Sequence, residues 1–315
     1  VSVPYYQFAM EKVDYTESEK YWLSVYKDEL PKLELRTDYD RKEKHSFKGC
    51  ALYDSIDMPL HHKIIEKCKT INITPYVFYM SGFFILLSKF SGSDDIVVGI
   101  PISGRTSKYL NTIGMFVNTI AFRSQPMGMK SVQVFLGEIK EASAKAIFYQ
   151  NYPYGKLVKK LNANTLDRNP IFDVMYTYQN EPMMQVQFGD CNIEPLPITV
   201  TTSKYDFTFN IMPSENDVVI MVEYCTELYS ETTIQRFIES YRNILRQMLI
   251  ETTLLKEISA VTIEEGRKLM VDFNNTAVEY PKAKCVHQLF ENQVENTPDE
   301  IALIACDQTL TYAGL

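Results

Sequence analysis

The chain has 315 residues, of which 45% are hydrophobic and 23% are charged, so it holds enough apolar material for a folded core. Its formal net charge of −8 disfavours a nucleic-acid binder, because such proteins need a basic face. The longest apolar run, Tyr76–Phe90, is interrupted by Ser81, Gly82 and Lys89 and is too short to span a membrane.

The cysteines lack the spacing of metal ligands, and no secretory signal is visible at the start of the chain. We therefore expect reduced thiols in a cytoplasmic protein. The six cysteines are Cys50, Cys68, Cys191, Cys225, Cys285 and Cys306.

Apolar side chains at helical spacing predict several helices in the first half of the chain. In the helix predicted at Glu17–Leu30, Trp22 and Val25 lie on one face, and Pro31 closes the helix. The helix predicted at Pro75–Phe90 is apolar almost all round, which is typical of a buried helix. The other helices predicted here are Tyr5–Met10, Pro59–Thr70 and Val132–Gln150.

Strands are predicted where apolar residues alternate with polar ones or form short runs. A long amphipathic helix is predicted at Thr232–Leu249, after the last of these strands. Helices and strands mixed at such intervals predict an α/β sandwich. The predicted strands are Cys50–Ile56, Asp95–Ile100, Phe172–Gln179, Lys204–Met212 and Asp217–Tyr224.

The segment Ile113–Arg123 predicts a further, mostly buried strand that begins near Phe116 and carries a few polar groups. Gly114, just before it, indicates a tight bend or a close approach of the backbone. Asn118 can both donate and accept hydrogen bonds, so inside the protein its carboxamide needs partners. Those partners are either structural groups or a ligand, and the pattern leaves both open.

The same segment resembles a signature of the condensation domains of nonribosomal peptide synthetases, which join two carrier-bound amino acids by a peptide bond. Its usual form is Ile/Val-Gly-x-Phe-Val-Asn-Thr, with an Arg a few residues on. Three more segments resemble signatures of this family in the same order, although Gln7 and Glu11 replace the usual Asp and Trp of the first. The matching residues are Tyr5, Phe8 and Ala9, then Gln150, Tyr152 and Pro153, then Arg168, Asn169, Pro170 and Phe172.

The tail resembles the opening of an adenylation domain. Val286–Glu291 and Thr297–Asp299 match its first residues, and Leu310–Leu315 resembles Leu-Thr/Ser-Tyr-x-Glu-Leu with Gly314 in place of Glu. We therefore expect a piece of a longer polypeptide. Its implied parts are a condensation lobe at 1–257, an interdomain linker at 258–284 and the truncated start of an adenylation domain at 285–315.

Condensation domains resemble chloramphenicol acetyltransferase, with two such lobes forming a V. The matches cover only the C-terminal lobe, so the resemblance implies a chloramphenicol-acetyltransferase-like α/β sandwich of that lobe alone. The family's His-His-x-x-x-Asp-Gly motif, whose second His deprotonates or orients the attacking amine, lies in the N-terminal lobe. We therefore expect no catalytic residue and no metal ligand in this chain, and a fragment that is inactive alone.

This chain does contain one adjacent histidine pair, His61 and His62, which is similar to the start of that motif. Glu66 stands where the family has Asp, but Lys67 replaces Gly and lacks its backbone freedom. The pair also lies closer to the Val-Asn-Thr segment than in the family. We predict that these residues are the start of a helix with exposed imidazoles.

The resemblance implies condensation of two carrier-bound aminoacyl or peptidyl thioesters in a tunnel between the lobes. No cofactor binds directly, because the substrates arrive on the 4′-phosphopantetheine of carrier domains. The implied partners are the N-terminal lobe, the donor and acceptor peptidyl carrier domains and the downstream adenylation domain, with no nucleic acid and no membrane. The expected channel residues are Asn118, Gln150 and Tyr152, and the expected structural residues near the cleft are Arg123, Arg168 and Asn169.

Other functions stay open. A heterocyclization domain of the same superfamily carries an Asp-rich motif upstream, and an epimerization domain is rarely followed by an adenylation domain. A non-catalytic, condensation-like domain recruits partner enzymes. A free-standing acyltransferase that uses coenzyme A is disfavoured by the adenylation-like tail.

Overall fold

The computed structural model describes residues 3–42, 46–163, 168–179, 187–188, 191–192, 199–214, 217–305 and 308–315. The chain forms two compact units, Val1–Thr262 and Ile263–Leu315. The division between them falls within the predicted linker, and the predicted domain boundaries at 257 and 284 stay predictions.

The helices of the first unit are α1 (Tyr5–Ala9), α2 (Thr16–Val25), α3 (Met58–Thr70), α4 (Pro75–Ser91), α5 (Val132–Phe148), α6 (Tyr154–Lys160) and α7 (Glu231–Gln247). Helix α2 ends earlier than predicted, at Val25, because the guanidinium of Arg123 donates to the carbonyl oxygens of Val25 (3.0 Å) and Glu29 (3.3 Å). Helix α6 was not among the predicted helices, since its seven residues are too few to show a periodic pattern.

Local sequence explains where the long helices begin. The side chains of Asp57, Thr74, Ser131 and Ser230 each accept a hydrogen bond from the first turn of α3, α4, α5 and α7. Helices α3 and α4 also have a proline in that turn, where no N–H is needed. Helix α4 ends at Ser91 and is capped by Gly92, whose φ of 70° suits a residue without a Cβ.

The strands of the first unit are β1 (Gly49–Ile56), β2 (Ile96–Ile102), β3 (Asn118–Ser124), β4 (Val174–Tyr178), β5 (Gln187–Phe188), β6 (Cys191–Asn192), β7 (Phe207–Pro213) and β8 (Val218–Cys225). Six of them form one mixed sheet in the order β1-β8-β7-β4-β2-β3. Strand β4 pairs in parallel with β2 and β7, and the remaining pairs are antiparallel. The predicted α/β sandwich is confirmed.

Helix α4 forms the centre of the core. Every residue from Val77 to Leu87 is buried, which confirms the prediction of a buried helix. The ring of Phe83 packs against Tyr176 of β4 and Phe209 of β7, with centroids 5.3 and 5.0 Å away. Burial of such aromatic side chains is a main source of stability in a fold of this kind.

The second unit contains α8 (Ile263–Arg267), α9 (Val286–Asn296) and the antiparallel pair β9 (Ile301–Ala305) and β10 (Gln308–Thr311). The larger apolar side chains of the second unit are mostly exposed, as at Val286 and Ile304.

The described residues contain no single helix with the length and apolar character needed to cross a membrane. One pair, 58–70 with 75–91, meets that test only when the two helices are taken together, and they are bent by 110°.

We predict that Gly99→Ala destabilises the first unit by about 1–3 kcal/mol, because a Cβ on β2 would lie 2.2 Å from the ring of Phe172. Gly137→Ala is the matched control: it lies within α5, and its Cβ would meet no atom within 4 Å. Gly137→Ala should raise the free energy of unfolding by roughly 0.5–1 kcal/mol. Urea unfolding of the two variants and the wild type measures both changes in stability. Equal effects of the two substitutions would contradict the packing of Phe172 on Gly99.

Candidate functional site

Asn118, the first residue of β3, is hydrogen-bonded through its side chain to the turn between α5 and α6. Its Nδ2 donates to the carbonyl oxygens of Gln150 (2.8 Å) and Tyr152 (2.9 Å). Its Oδ1 accepts from the N–H of Tyr154 at 3.5 Å. Asn118 thus uses both ends of its carboxamide on one turn, and the structure brings the three predicted channel residues together through backbone contacts.

Tyr152 is buried at the centre of this turn, and its hydroxyl donates to Oε2 of Glu19 on α2 (2.9 Å). Burial, followed by this hydrogen bond, raises the pKa of Tyr152 to about 12, so the hydroxyl stays protonated near neutral pH. Lys160 donates to the same carboxylate, and its hydrogen bond is the main cause of the lowered pKa of Glu19. The turn is therefore connected to both α2 and α6.

Arg123 lies at the other end of β3. Its Nε donates to Oδ1 of Asp95 at 2.9 Å, and its second terminal nitrogen donates to Oδ2 at 2.6 Å. This hydrogen bonding is the main cause of the raised pKa of Arg123. Because Asn118 pairs with Ile102 and Arg123 with Val97 in the sheet, the two residues are separated by roughly 17 Å of strand.

Arg168 joins the loop before β4 to the segment that follows α2. It donates to the carbonyl oxygen of Leu33 (3.3 Å), to Oε2 of Glu34 (3.1 Å) and to Oδ2 of Asp173 (3.2 Å). Next to it, Asn169 donates to the carbonyl oxygen of Lys204 at 3.3 Å. The hydrogen bonds of Arg168 and Asn169 described here are made to other groups of the protein. That these two residues lie near a cleft stays a prediction. Asn164, Thr165 and Asp167, just before Arg168, lie outside the described residues.

Two buried carboxylates in this region were not singled out from the sequence. Asp206 is held by both terminal nitrogens of Arg41, and its N–H donates to the carbonyl oxygen of Asp173. The Oδ1 of Asp173 has no hydrogen-bond partner within the described parts of the chain. Burial, then the charge of Asp206, raises the pKa of Asp173 to about 6, against the opposing effect of Arg168 and Arg41. A local sequence pattern could not predict this cluster, because Arg41, Asp173 and Asp206 are far apart in the sequence.

The histidine pair is only partly as predicted. Helix α3 begins at Met58, so both residues lie in its first turns, and His62 is exposed. His61 is instead half-buried, because α3 packs against α4 and places its Nδ1 2.7 Å from the hydroxyl of Tyr79. Burial, followed by the charge of His62, lowers the pKa of His61. The contacts of His61 are thus with α4 and not with the Asn118 turn.

The described residues include no group of three or more His, Cys, Asp or Glu side chains that suits a metal ion. Four of the cysteines, Cys50, Cys68, Cys225 and Cys285, are free thiols.

The raised pKa of Asp173 has a consequence for stability. The folded chain keeps this proton up to about pH 6, whereas an unfolded aspartate loses it near pH 4, so folding takes up a proton between these values. The contribution of Asp173 to the free energy of unfolding therefore falls as pH rises. We predict that the stability of the wild type relative to Asp173→Asn decreases by about 1–3 kcal/mol from pH 4 to pH 7.

Asp38→Asn is the control with the opposite sign. Partial burial tends to raise the pKa of Asp38, but hydrogen bonds from the N–H of Ser230 and the hydroxyls of Ser230 and Thr233 outweigh it and lower that pKa. The stability that Asp38 contributes is lost as pH falls. Urea unfolding at several pH values measures both differences, and equal slopes for the two variants would contradict the assignment.

Comparison with protein families gives one match over most of the chain: the model described as "Condensation domain" covers residues 2–270. Tyrocidine synthase 3 of Brevibacillus parabrevis is 35% identical over 324 residues, which cover 99% of this chain and 5% of that protein. The chain spans only 5–12% of the length of the curated relatives that it matches.

Solved structures show the same fold. A four-domain nonribosomal peptide synthetase, bound to AMP and glycine, superimposes with a TM-score of 0.81 at 19% identity, over 96% of this chain and 24% of that one. The first condensation domain of the CDA synthetase superimposes with a TM-score of 0.66 at 15% identity, over 79% of this chain and 54% of that one. The predicted condensation-type fold is confirmed.

Proposed function

The chain belongs to the condensation-domain family, and from this premise we propose that it is part of a nonribosomal peptide synthetase module that joins two carrier-bound aminoacyl or peptidyl thioesters. The observation that carries the proposal is the match of the family model over residues 2–270. Tyrocidine synthase 3 and bacitracin synthase 1, which align with 99% and 95% of this chain, are synthetases by name.

The reaction is the aminolysis of a thioester. The acceptor amine attacks the thioester carbonyl as a neutral group, loses a proton, and the thiolate of the donor arm leaves. Alignment of two tethered substrates in one tunnel supplies much of the acceleration. We propose that this chain forms one wall of the tunnel and that the histidine base belongs to a lobe outside it.

Two observations support a base outside this chain. The ring Nδ1 of His61 is engaged by the Tyr79 hydroxyl, and His62 sits exposed on the same helix. The buried Asp173 is held by Arg168, and its free oxygen is not accessible to solvent. The Nδ1 of His61 and the carboxylate of Asp173 are thus held inside the protein, where a substrate amine does not reach them.

The geometry favours a wall-forming role for Asn118 over contact with substrate. Two of its three hydrogen bonds, at 2.8 and 2.9 Å, are made by the only two N–H groups of its carboxamide. The side chain of Gln150 and the ring of Tyr152 stay candidates for lining the channel. Arg123, Arg168 and Asn169 hold the surrounding segments through the ion pairs and hydrogen bonds described above.

Membership in a synthetase module also implies neighbouring domains and partners. We propose a linker over 258–284 and the start of an adenylation domain over 285–315, the rest of which would cover the exposed apolar side chains of the second unit. The partners are the N-terminal lobe, the two peptidyl carrier domains with their 4′-phosphopantetheine arms, and the downstream adenylation domain. A cytoplasmic location is part of the same proposal.

A condensation assay with aminoacyl-loaded donor and acceptor carrier domains tests the proposal. This chain alone should form no dipeptide above the rate without protein, because it lacks the base. A fusion that adds, ahead of Val1, the residues that precede the aligned segment in tyrocidine synthase 3 should form it. Replacing His61 and His62 by Ala in that fusion should leave the rate unchanged.

Turnover by this chain alone, abolished by either histidine substitution, would show that the base is local. A folded fusion that yields a cyclised heterocycle or an epimerised donor would favour a heterocyclization or epimerization domain. A folded fusion that yields no product but retains a partner enzyme would favour the non-catalytic alternative.

A further inference from the structure

The end of α4 borders a cavity of about 320 Å³, which also lies beside the loop after β3 and the segment after α7. Lys89, in the last turn of α4, is partly buried and lines this cavity. This lysine takes no part in the candidate site described above. The apolar lining includes Ile85, Pro126 and Leu255, and the other charged residues of the lining are Asp94 and Lys256.

The surroundings of Lys89 do little to hold its positive charge. Its Nζ donates to the backbone carbonyl oxygen of Lys256 at 3.3 Å, and it forms no ion pair within the described parts of the chain. Burial lowers the pKa of Lys89, and the charge of Asp94 opposes this effect only in part. Lys89 therefore carries a larger share of neutral amine than a fully solvated lysine does at the same pH.

A neutral lysine amine is a nucleophile toward thioesters. Resting on the proposed function, in which thioesters are the substrates, we propose that Lys89 is an acylation site for small acyl thioesters. The lone pair of Nζ attacks the thioester carbonyl, a C–N bond forms and the C–S bond breaks. The thiolate leaves and takes up the proton that the nitrogen releases, so the products are an amide on Lys89 and a free thiol.

The cavity suits the product of this step. The amide keeps one N–H, which can donate to the carbonyl oxygen of Lys256 as the amine does now. A small acyl group would meet the apolar side chains of Ile85, Pro126 and Leu255. Because the amide is neutral, its formation also removes the cost of holding a charge partly out of water.

Acetylation by S-acetyl-N-acetylcysteamine, a small thioester, tests the proposal. Mass spectrometry of the digested chain gives the initial rate at each lysine. Lys145 is the matched comparison, since it also lies in the last turn of a long helix, α5, but is exposed. We expect Lys89 to react severalfold faster than Lys145 at about pH 8 despite its lower exposure, and its rate to level off at a lower pH.

Asp94→Asn should raise the rate at Lys89 further and leave Lys145 unchanged, because it removes the carboxylate that favours the charged amine. Asp94 is exposed, so this change should not disturb the core, and urea unfolding checks that it does not. Asp40→Asn is the matched control, at an exposed position outside the lining of the cavity. It should change the rate at neither lysine.

A rate at Lys89 no higher than that at Lys145 would overturn the proposal. An unchanged rate at Lys89 in Asp94→Asn, or an equal rise at both lysines, would overturn it as well. The readout is independent of condensation. Fast acetylation of Lys89, in a chain whose fusion forms no dipeptide in the assay described above, would leave the acylation site standing and count against the proposed reaction.

Discussion

The candidate site depends on the carboxamide of Asn118, which connects the first residue of an edge strand to the turn between α5 and α6. An amide that is partly withdrawn from water needs partners for its two N–H groups and its oxygen, and here three backbone groups of one turn supply them. Through Tyr152 and Glu19 the same turn is joined to α2. The position of one polar side chain therefore determines how three helices meet the edge of the sheet.

Ion pairs between residues distant in sequence connect the segment after α2 to the sheet. Arg168 and Arg41 reach carboxylates at the starts of β4 and β7, with Asp173 and Asp206 both buried. Removing such charges from water costs free energy that the pairing only partly offsets, so the cluster contributes more to the placement of this segment than to net stability. The free oxygen and the raised pKa of Asp173 are direct signs of that cost.

Much of the architecture could be predicted where burial follows from a local pattern. The all-round apolar character of α4 predicted its burial, and the strand predicted at Asp217–Tyr224 is found at Val218–Cys225, with alternate residues buried. Contacts between distant residues could not be predicted: nothing near Arg41 indicates Asp206, which is 165 residues away. For the same reason the sequence left open whether Asn118 binds a ligand, and it missed the contact between His61 and Tyr79.

Hydrogen exchange of the side-chain amide of Asn118, followed by NMR on the asparagine-labelled chain, tests the central claim most directly. The account predicts slow exchange of both carboxamide protons, because each is bonded to a backbone carbonyl. Asn169, whose one hydrogen bond is longer (3.3 Å) and exposed to solvent, should exchange much faster. Exchange of Asn118 as fast as that of Asn169 would contradict the account and return Asn118 to the residues that are free to meet substrate.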